Sequence, residues 1–465
     1  MIDLRLRLAI GSGRLVRWLS QVLGTGGGTV MPGAVTSRLD PQAMRKLASL
    51  ASQGVVVVTG TNGKTTTTRM LTAICQRIGW QVVSNGAGAN MASGVTTALL
   101  ELPRLAGHGN TIAIIEVDEA WTPSVSAQLR PRRLIVHNFF RDQLDRYGEL
   151  DAVTDRVAQA LQALPVGSRA VLNADDPTVA NLARDCAQSP LFYGIEDHCL
   201  AGETGLYAAD ATDCRRCSTA FEYTKRYFSH LGIYVCPQCG EARPTPQVFA
   251  DRVVPCQEGS FEVHIGSPSA ELKVHLPLPG LYDVYNALAA AATALSLGIP
   301  SQVVAETLSE FRAVFGRGER ILLGDHELHL FLVKNPASFN QVIQLITRAT
   351  SAQEAHLLIL VNDNDADGHD ISWLWDVDFE LLSDRAVSIT ASGTRALEVA
   401  LRLKYAGIDQ VRVTIIPKPV PALEAAMAQL PAGSSLYILP TYTALLTLHN
   451  HLARSGHVPA FWQES

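Results

Sequence analysis

The chain has 465 residues, 47% of them apolar and 18% charged. That suggests about three domains at ~150 residues each and excludes a disordered or low-complexity chain. The 38 Lys and Arg against 44 Asp and Glu leave a net charge of −6 with no basic run, which argues against a nucleic-acid binder.

The first 24 residues lack the uninterrupted apolar core and small-residue cleavage site of a secretory signal. Leu8, Leu15, Leu19 and Val22 mix with Arg5, Arg7, Arg14 and Arg17 in a basic amphipathic helix. Such a helix rests on an anionic membrane or packs on the protein. A glycine-rich loop, Gly24–Gly28, follows. No run of about 18 residues is free of charges and turn formers, so no spanning helix is expected, although mean hydropathy is +0.12.

Val55–Val58 reads as a buried strand, followed by a glycine turn and a helix from about Lys64 to Ile78. Thr111–Val117, Leu134–His137 and Arg169–Leu172 read as further buried strands. Helices are expected at Gly94–Leu102 and Asp151–Leu164. Apolar strands alternating with helices predict a parallel sheet covered on both faces. Residues 200–250 break the pattern with four cysteines. Tyr282–Leu297 is an alanine-rich helix ended by Gly298 and Pro300. A second alternating αβ unit begins near Ile321, with the boundary near Gly316–Arg320.

Gly60-Thr61-Asn62-Gly63-Lys64-Thr65-Thr66 lies between a strand and a helix, as a phosphate-binding loop must. Its N–H groups, helix dipole and lysine suit phosphate oxygens, and a Thr hydroxyl beside the lysine suits magnesium. Val58 stands where the strict pattern has glycine, so the loop is a variant. Glu116, at the carboxyl end of a strand, and Asp118 and Glu119 beyond it supply candidate magnesium oxygens. Asn138, Asp142 and Asp145 follow the next strand; they could hold metal, water or substrate, or cap a helix.

Cys214, Cys217, Cys236 and Cys239 have C-x2-C-x18-C-x2-C spacing, which suits four thiolates around a closed structural zinc. A disulfide pair or a redox dithiol are the rivals. Cys75, Cys186, Cys199 and Cys256 have no matched spacing and are expected as buried thiols. Together these cysteines point to a reducing cytosol. Residues 363–368 match the first half of a calcium loop, but its twelfth position is Leu374.

TGTNGKTTT, IIEVDEA, HNFFRDQLDRYGE and VLNADDP resemble the Mur ligase family in order and spacing. That family joins amines to carboxylates with ATP through an acyl phosphate. The resemblance implies that Asn286 contacts the adenine side, with Asp283 where an asparagine is usual. Gly316–Arg320 looks like the family's interdomain motif. Gln143 stands where amino-acid-adding members have histidine. Their carbamylated lysine also lacks a counterpart, since only Lys225 lies between Lys64 and Lys273.

The cysteine knuckles, Lys334–Gln341 (KNPASFNQ) and Asn362–Asp376 resemble the MurT branch of that family. Nearly the whole chain is covered. The resemblance implies ATP-dependent amidation of the D-glutamate α-carboxylate of lipid II. Ammonia would come from a GatD-type glutaminase in a heterodimer, acting at the inner membrane surface. Cofactors would be ATP, Mg2+ and Zn2+. Lys64, Glu116 and Asp370 would be catalytic, with Asp370, or Asp367 second, orienting the partner's catalytic histidine. Gly60–Thr66 and Asn286 would bind ATP, and Thr65 and Glu116 magnesium.

The implied fold is α/β: a Mur ligase-type parallel-sheet ATPase domain with an inserted four-cysteine zinc ribbon, plus a C-terminal α/β domain. The expected parts are an N-terminal arm (1–50), the ATP-binding domain (51–320, ribbon about 205–250) and a C-terminal domain facing the glutaminase (321–465). The alternatives are a stand-alone Mur or folylpolyglutamate-type amino-acid ligase and a non-catalytic zinc-bearing scaffold.

Overall fold

The computed structural model describes residues 3–22, 28–85, 89–105, 107, 109–141, 150–200, 211–256, 259–312, 317–350 and 354–458. Asp142, Gln143, Asp145, Gly24–Gly27, Gly316 and residues 201–210 therefore lie outside the described residues.

Two sheets carry the chain. The first has nine strands in the order β11-β10-β9-β6-β5-β4-β1-β3-β2. These are β1 (Val55–Thr59), β2 (Gln81–Ser84), β3 (Thr111–Glu116), β4 (Arg133–Val136), β5 (Arg169–Asn173) and β6 (Leu191–Ile195). They run parallel, and β9 (Val248–Pro255) continues parallel beside β6. The expected all-parallel sheet is corrected at this edge. There β10 (Phe261–Ser267) and β11 (Ala270–Leu276) add antiparallel strands. The short Ser267–Ala270 turn leaves no length for a helical crossover, so these strands can only pair antiparallel.

The valine run of β1 explains the three layers. Alternate side chains of a strand point to opposite faces. Val56 and Val58 join one core with Met70, Leu71 and Ile74 of the helix Lys64–Arg77 and with the helix Leu281–Ser296. Val55 and Val57 join the other core with helices on the opposite face. Every β1 residue is buried, which an apolar run between two helical layers requires.

The N-terminal segment is three helices: α1 (Leu4–Val22), α2 (Met31–Leu39) and α3 (Ala43–Ala48). The first docks on α2, and α2 docks on α5 (Ala92–Leu99), with α4 being Lys64–Arg77. The residues that pack α1 are Leu6, Ala9, Ile10 and Gly13, not the Leu8, Leu15, Leu19 and Val22 face read from the sequence. The expected helix at Gly94–Leu102 ends at Leu99, and a short helix follows at Leu102–Leu105.

The second sheet has six strands in the order β12-β13-β17-β14-β15-β16. Its first strand, β12 (Arg317–Leu323), starts earlier than the Ile321 expected and pairs antiparallel with β13 (His326–Phe331). The other strands, β14 (Ala355–Leu360), β15 (Ala386–Ser392), β16 (Val413–Ile415) and β17 (Ser435–Pro440), are parallel. Leu357 and Ile359 face one core, Leu358 and Leu360 the other. In the chain between β6 and β9 lies a small antiparallel hairpin, β7 (Glu222–Phe228) and β8 (Leu231–Val235), flanked by the four cysteines.

Candidate active site

The chain leaves β1 to build β2 and β3 on one side and returns to build β4 and β5 on the other. Ligands of open α/β sheets bind at such a switch point, outside the carboxyl ends of the strands. The loop Gly60–Gly63 sits there, with Gly60 at φ +120° and Gly63 at φ +91°. Gly63 immediately precedes α4, so the loop lies at the positive end of the helix dipole.

Lys64 is buried. Its Nζ donates to Gly60 O at 2.6 Å and lies 3.3 Å from Glu119 Oε1. The next residue faces the end of β3: Thr65 Oγ1 donates to Glu116 Oε2 at 2.8 Å. A hydroxyl and a carboxylate at this distance are the oxygen donors a hard cation needs, so the pair fits magnesium. Of the other acids, Asp118 accepts the Ala120 N–H at 3.1 Å, which caps a short turn.

The segment after β4 clasps the loop. Asn62 N donates to Asn138 Oδ1 at 2.9 Å, and Phe140 N donates to Thr61 Oγ1 at 3.1 Å. Phe139 N donates to Asp176 Oδ2. His137 is fully buried beside Lys64; burial, reinforced by the lysine's charge, pushes its imidazole down to about 3. It is therefore neutral at pH 7. Its Nδ1 is 3.0 Å from Tyr193 Oη, and among the described residues its Nε2 has no hydrogen-bond partner.

Asn286 approaches from the alanine-rich helix. A Cβ on Gly63 would stand 2.2 Å from Asn286 Oδ1, so this side chain abuts the phosphate loop itself. Its Nδ2 donates to Asp283 Oδ1 at 3.3 Å. It therefore stands beside the loop that the sequence reading assigned to ATP.

Two contacts come from the other sheet. Lys334 Nζ donates to Thr61 O at 3.3 Å, and Asn335 Nδ2 donates to Asn62 Oδ1 at 3.3 Å. No spacing argument links positions about 270 residues apart, so sequence reasoning gave these residues no part in the loop. The pairing of Lys64 with Glu119 was missed for a different reason: three acids follow β3, and only their turn decides which one faces the lysine.

The four cysteines meet. Cys214 Sγ lies 3.5 Å from Cys239 Sγ, Cys217 Sγ lies 3.4 Å from Cys236 Sγ, and all four fall within 4.8 Å of one another. None of the four is in a disulfide. Each knuckle closes in the same way: Ser218 N donates to Cys214 O, and Gly240 N donates to Cys236 O. At ~2.3 Å per metal–sulfur bond, a tetrahedral ion spaces its sulfurs at these separations. The knuckles are tied to the large sheet nearby, since His230 Nε2 lies 3.3 Å from Asp176 Oδ2 and Arg243 Nε donates to Asp175 Oδ1 at 2.7 Å. The unmatched cysteines are corrected in part. Cys75 is buried and pushed up to about 12, but Cys199 is exposed.

The acidic loop after β14 lies at the carboxyl edge of the second sheet. Asp367 is buried and accepts from Thr443 N at 2.9 Å. Asp370 is half-buried, and its Oδ1 caps Ser372 N at 2.8 Å.

A glycine loop at the switch point of a mainly parallel sheet, contacted by a second αβ unit, is the arrangement of a Mur ligase-type α/β fold. The Mur ligase middle-domain family matches residues 58–232, and the MurT ligase C-terminal family matches residues 332–445. The chain is 32% identical to the lipid II isoglutaminyl synthase (glutamine-hydrolyzing) subunit MurT of Streptococcus pneumoniae over 97% of its length and 98% of that protein. It is 31% identical to the same subunit of Staphylococcus aureus over 96% and 98%. Among solved structures, a pseudomurein peptide ligase type C from Methanothermus fervidus has the same fold at TM-score 0.67 and 21% identity, covering 89% of this chain and 81% of that one. MurF from Acinetobacter baumannii gives 0.65 at 18%, covering 90% and 80%. The chain belongs to the MurT family.

Proposed function

We propose that this chain is the ligase subunit of an enzyme that amidates the α-carboxylate of D-glutamate in lipid II to D-isoglutamine, using ATP. Identity of 31–32% to MurT subunits over nearly the full length carries the reading, in a chain that holds the Thr65–Glu116 pair. The Gly60–Thr66 backbone cradles the triphosphate, Lys64 neutralises the β- and γ-oxygens, and Asn286 supports the loop. Thr65 and Glu116 would hold magnesium, which when bound draws charge from the phosphates. A carboxylate oxygen of the substrate attacks the γ-phosphorus in line, giving an acyl phosphate and ADP. Ammonia then attacks the acyl carbon and phosphate leaves. The chain's contribution is mainly positioning and charge neutralisation.

The ammonia source is a GatD-type glutaminase subunit, and the pair works on the cytoplasmic side. Asp370 is the residue offered to the partner's histidine, because Asp367 is occupied by Thr443. The four thiolates hold a structural zinc that fixes the hairpin between the knuckles. The working division is the N-terminal helices, the ATPase domain with its ribbon, and the C-terminal domain.

Co-expression with the glutaminase and an assay of glutamine- and ATP-dependent lipid II amidation tests this. Lys64→Ala should abolish amidation yet retain the partner. Asp370→Asn should depress glutamine hydrolysis by the complex. Amidation by the Lys64 variant, or addition of an amino acid in place of ammonia, would refute the assignment.

A further inference from the structure

α1 has two apolar faces. At ~100° per residue, Leu6, Ala9, Ile10 and Gly13 fall on one side of the helix. They are buried. Contact with α2 is close: a Cβ on Gly13 would meet Thr36 Oγ1 at 2.2 Å. Leu4, Leu8, Leu15, Trp18, Leu19 and Val22 fall within one stripe on the opposite side. These six are between 40 and 75% exposed. A helix packed on a protein needs one apolar face; a second, contiguous one marks a contact surface.

We propose that this outer stripe seats on an anionic lipid bilayer as an interfacial anchor. Charge argues for that occupant. Residues 4–22 contain four arginines and no acid, in a chain whose net charge is −6. Arg17 pairs with Glu101 at 2.7 Å and Arg14 donates to Leu100 O at 2.8 Å, so the outward charge of the helix is carried by Arg5 and Arg7. The exposed Arg5 and Arg7 flank the stripe on both sides, where headgroup phosphates would lie. Asp3, the nearest acid along the chain, is paired with Lys46 at 2.8 Å. Shape agrees: the stripe spans about 100° of the helix surface and about 28 Å at 1.5 Å per residue, which suits a plane better than a pocket. Trp18 lies within it, and tryptophan favours the membrane–water boundary. Among the described residues, no helix is long and apolar enough to cross a membrane, so the contact is lateral.

The anchor is coupled to the phosphate site. α1 packs on α2 and α2 on α5. Just ahead of α5, Asn90 O accepts the Asp118 N–H at the end of β3. The seated helix therefore fixes how the switch point is presented to the bilayer. This inference stands on α1 and does not depend on the ligase reading.

The test is co-sedimentation of the full chain with vesicles of phosphatidylglycerol or of phosphatidylcholine. The chain should bind the anionic vesicles, release with salt, and leave the neutral ones. Leu15→Glu and Trp18→Glu should each lower partitioning by about tenfold, with unchanged thermal unfolding because both side chains face solvent. Trp18→Phe should keep binding and remove most of the vesicle-induced blue shift in fluorescence. No binding to anionic vesicles, or equal binding by the glutamate variants, would overturn the proposal. So would conversion of a dimer to a monomer by those variants, which would make the stripe a self-interface, or loss of a co-purified glutaminase, which would make it the partner's seat.

Discussion

Gly63→Ala tests the phosphate loop most directly. Gly63 sits at φ +91°, where an L-residue costs about 1–2 kcal/mol. The added Cβ would stand 2.2 Å from Asn286 Oδ1, closer than any real contact, so Asn286 must turn away. Turning away breaks its 3.3 Å bond to Asp283 Oδ1, worth about 1 kcal/mol. The sum is about 2–3 kcal/mol, or a fall in Tm of about 4–12 °C at about 2–4 °C per kcal/mol. Thermal unfolding with and without MgATP reads both halves of the argument: the apo Tm should drop, and the shift induced by MgATP should shrink. The double change Gly63→Ala with Asn286→Ala removes the collision but not the backbone strain. It should recover about 1 kcal/mol relative to additive losses. An alanine variant with wild-type Tm and a wild-type MgATP shift would refute this account of the loop.

Three further outcomes follow from the structure. Lys334→Ala removes the bond to Thr61 O across the two sheets; it should weaken MgATP binding by several-fold at unchanged Tm, measured by calorimetry. Cys236→Ser, or chelation of the wild type, should release one equivalent of zinc and lower Tm, because the knuckle carries the hairpin packed against Asp175 and Asp176. Burial, aided by the Glu380 charge and opposed by Arg402, pushes the Asp378 carboxyl up to about 6. The folded state thus holds this proton more tightly than the unfolded chain, so its contribution is favourable below about pH 4 and is lost as pH rises through 6. Asp378→Asn should raise stability at pH 7 by at most about 3 kcal/mol, with the gain vanishing by pH 4 in pH-resolved unfolding.

What the sequence alone determined is local. The valine run, the glycines before Lys64 and the paired C-x2-C knuckles each act within a few residues, where chain geometry leaves little choice. Thr65 with Glu116 was also legible, since Thr65 follows the loop lysine and Glu116 ends its own recognisable strand. Tertiary packing decided the rest. The strands β10 and β11 alternate apolar and polar residues as half-buried strands do, but nothing in that local pattern says which sheet edge they join. Asp367 and Asp370 are alike in sequence, and only the approach of Thr443, just beyond β17, separates them. Lys334 reaches the phosphate loop because two separately built sheets meet there. In α1 the sequence held enough leucines for either contact, with the protein or with a membrane. The close fit of Gly13 on α2 chose which face is buried and so left the other one outside.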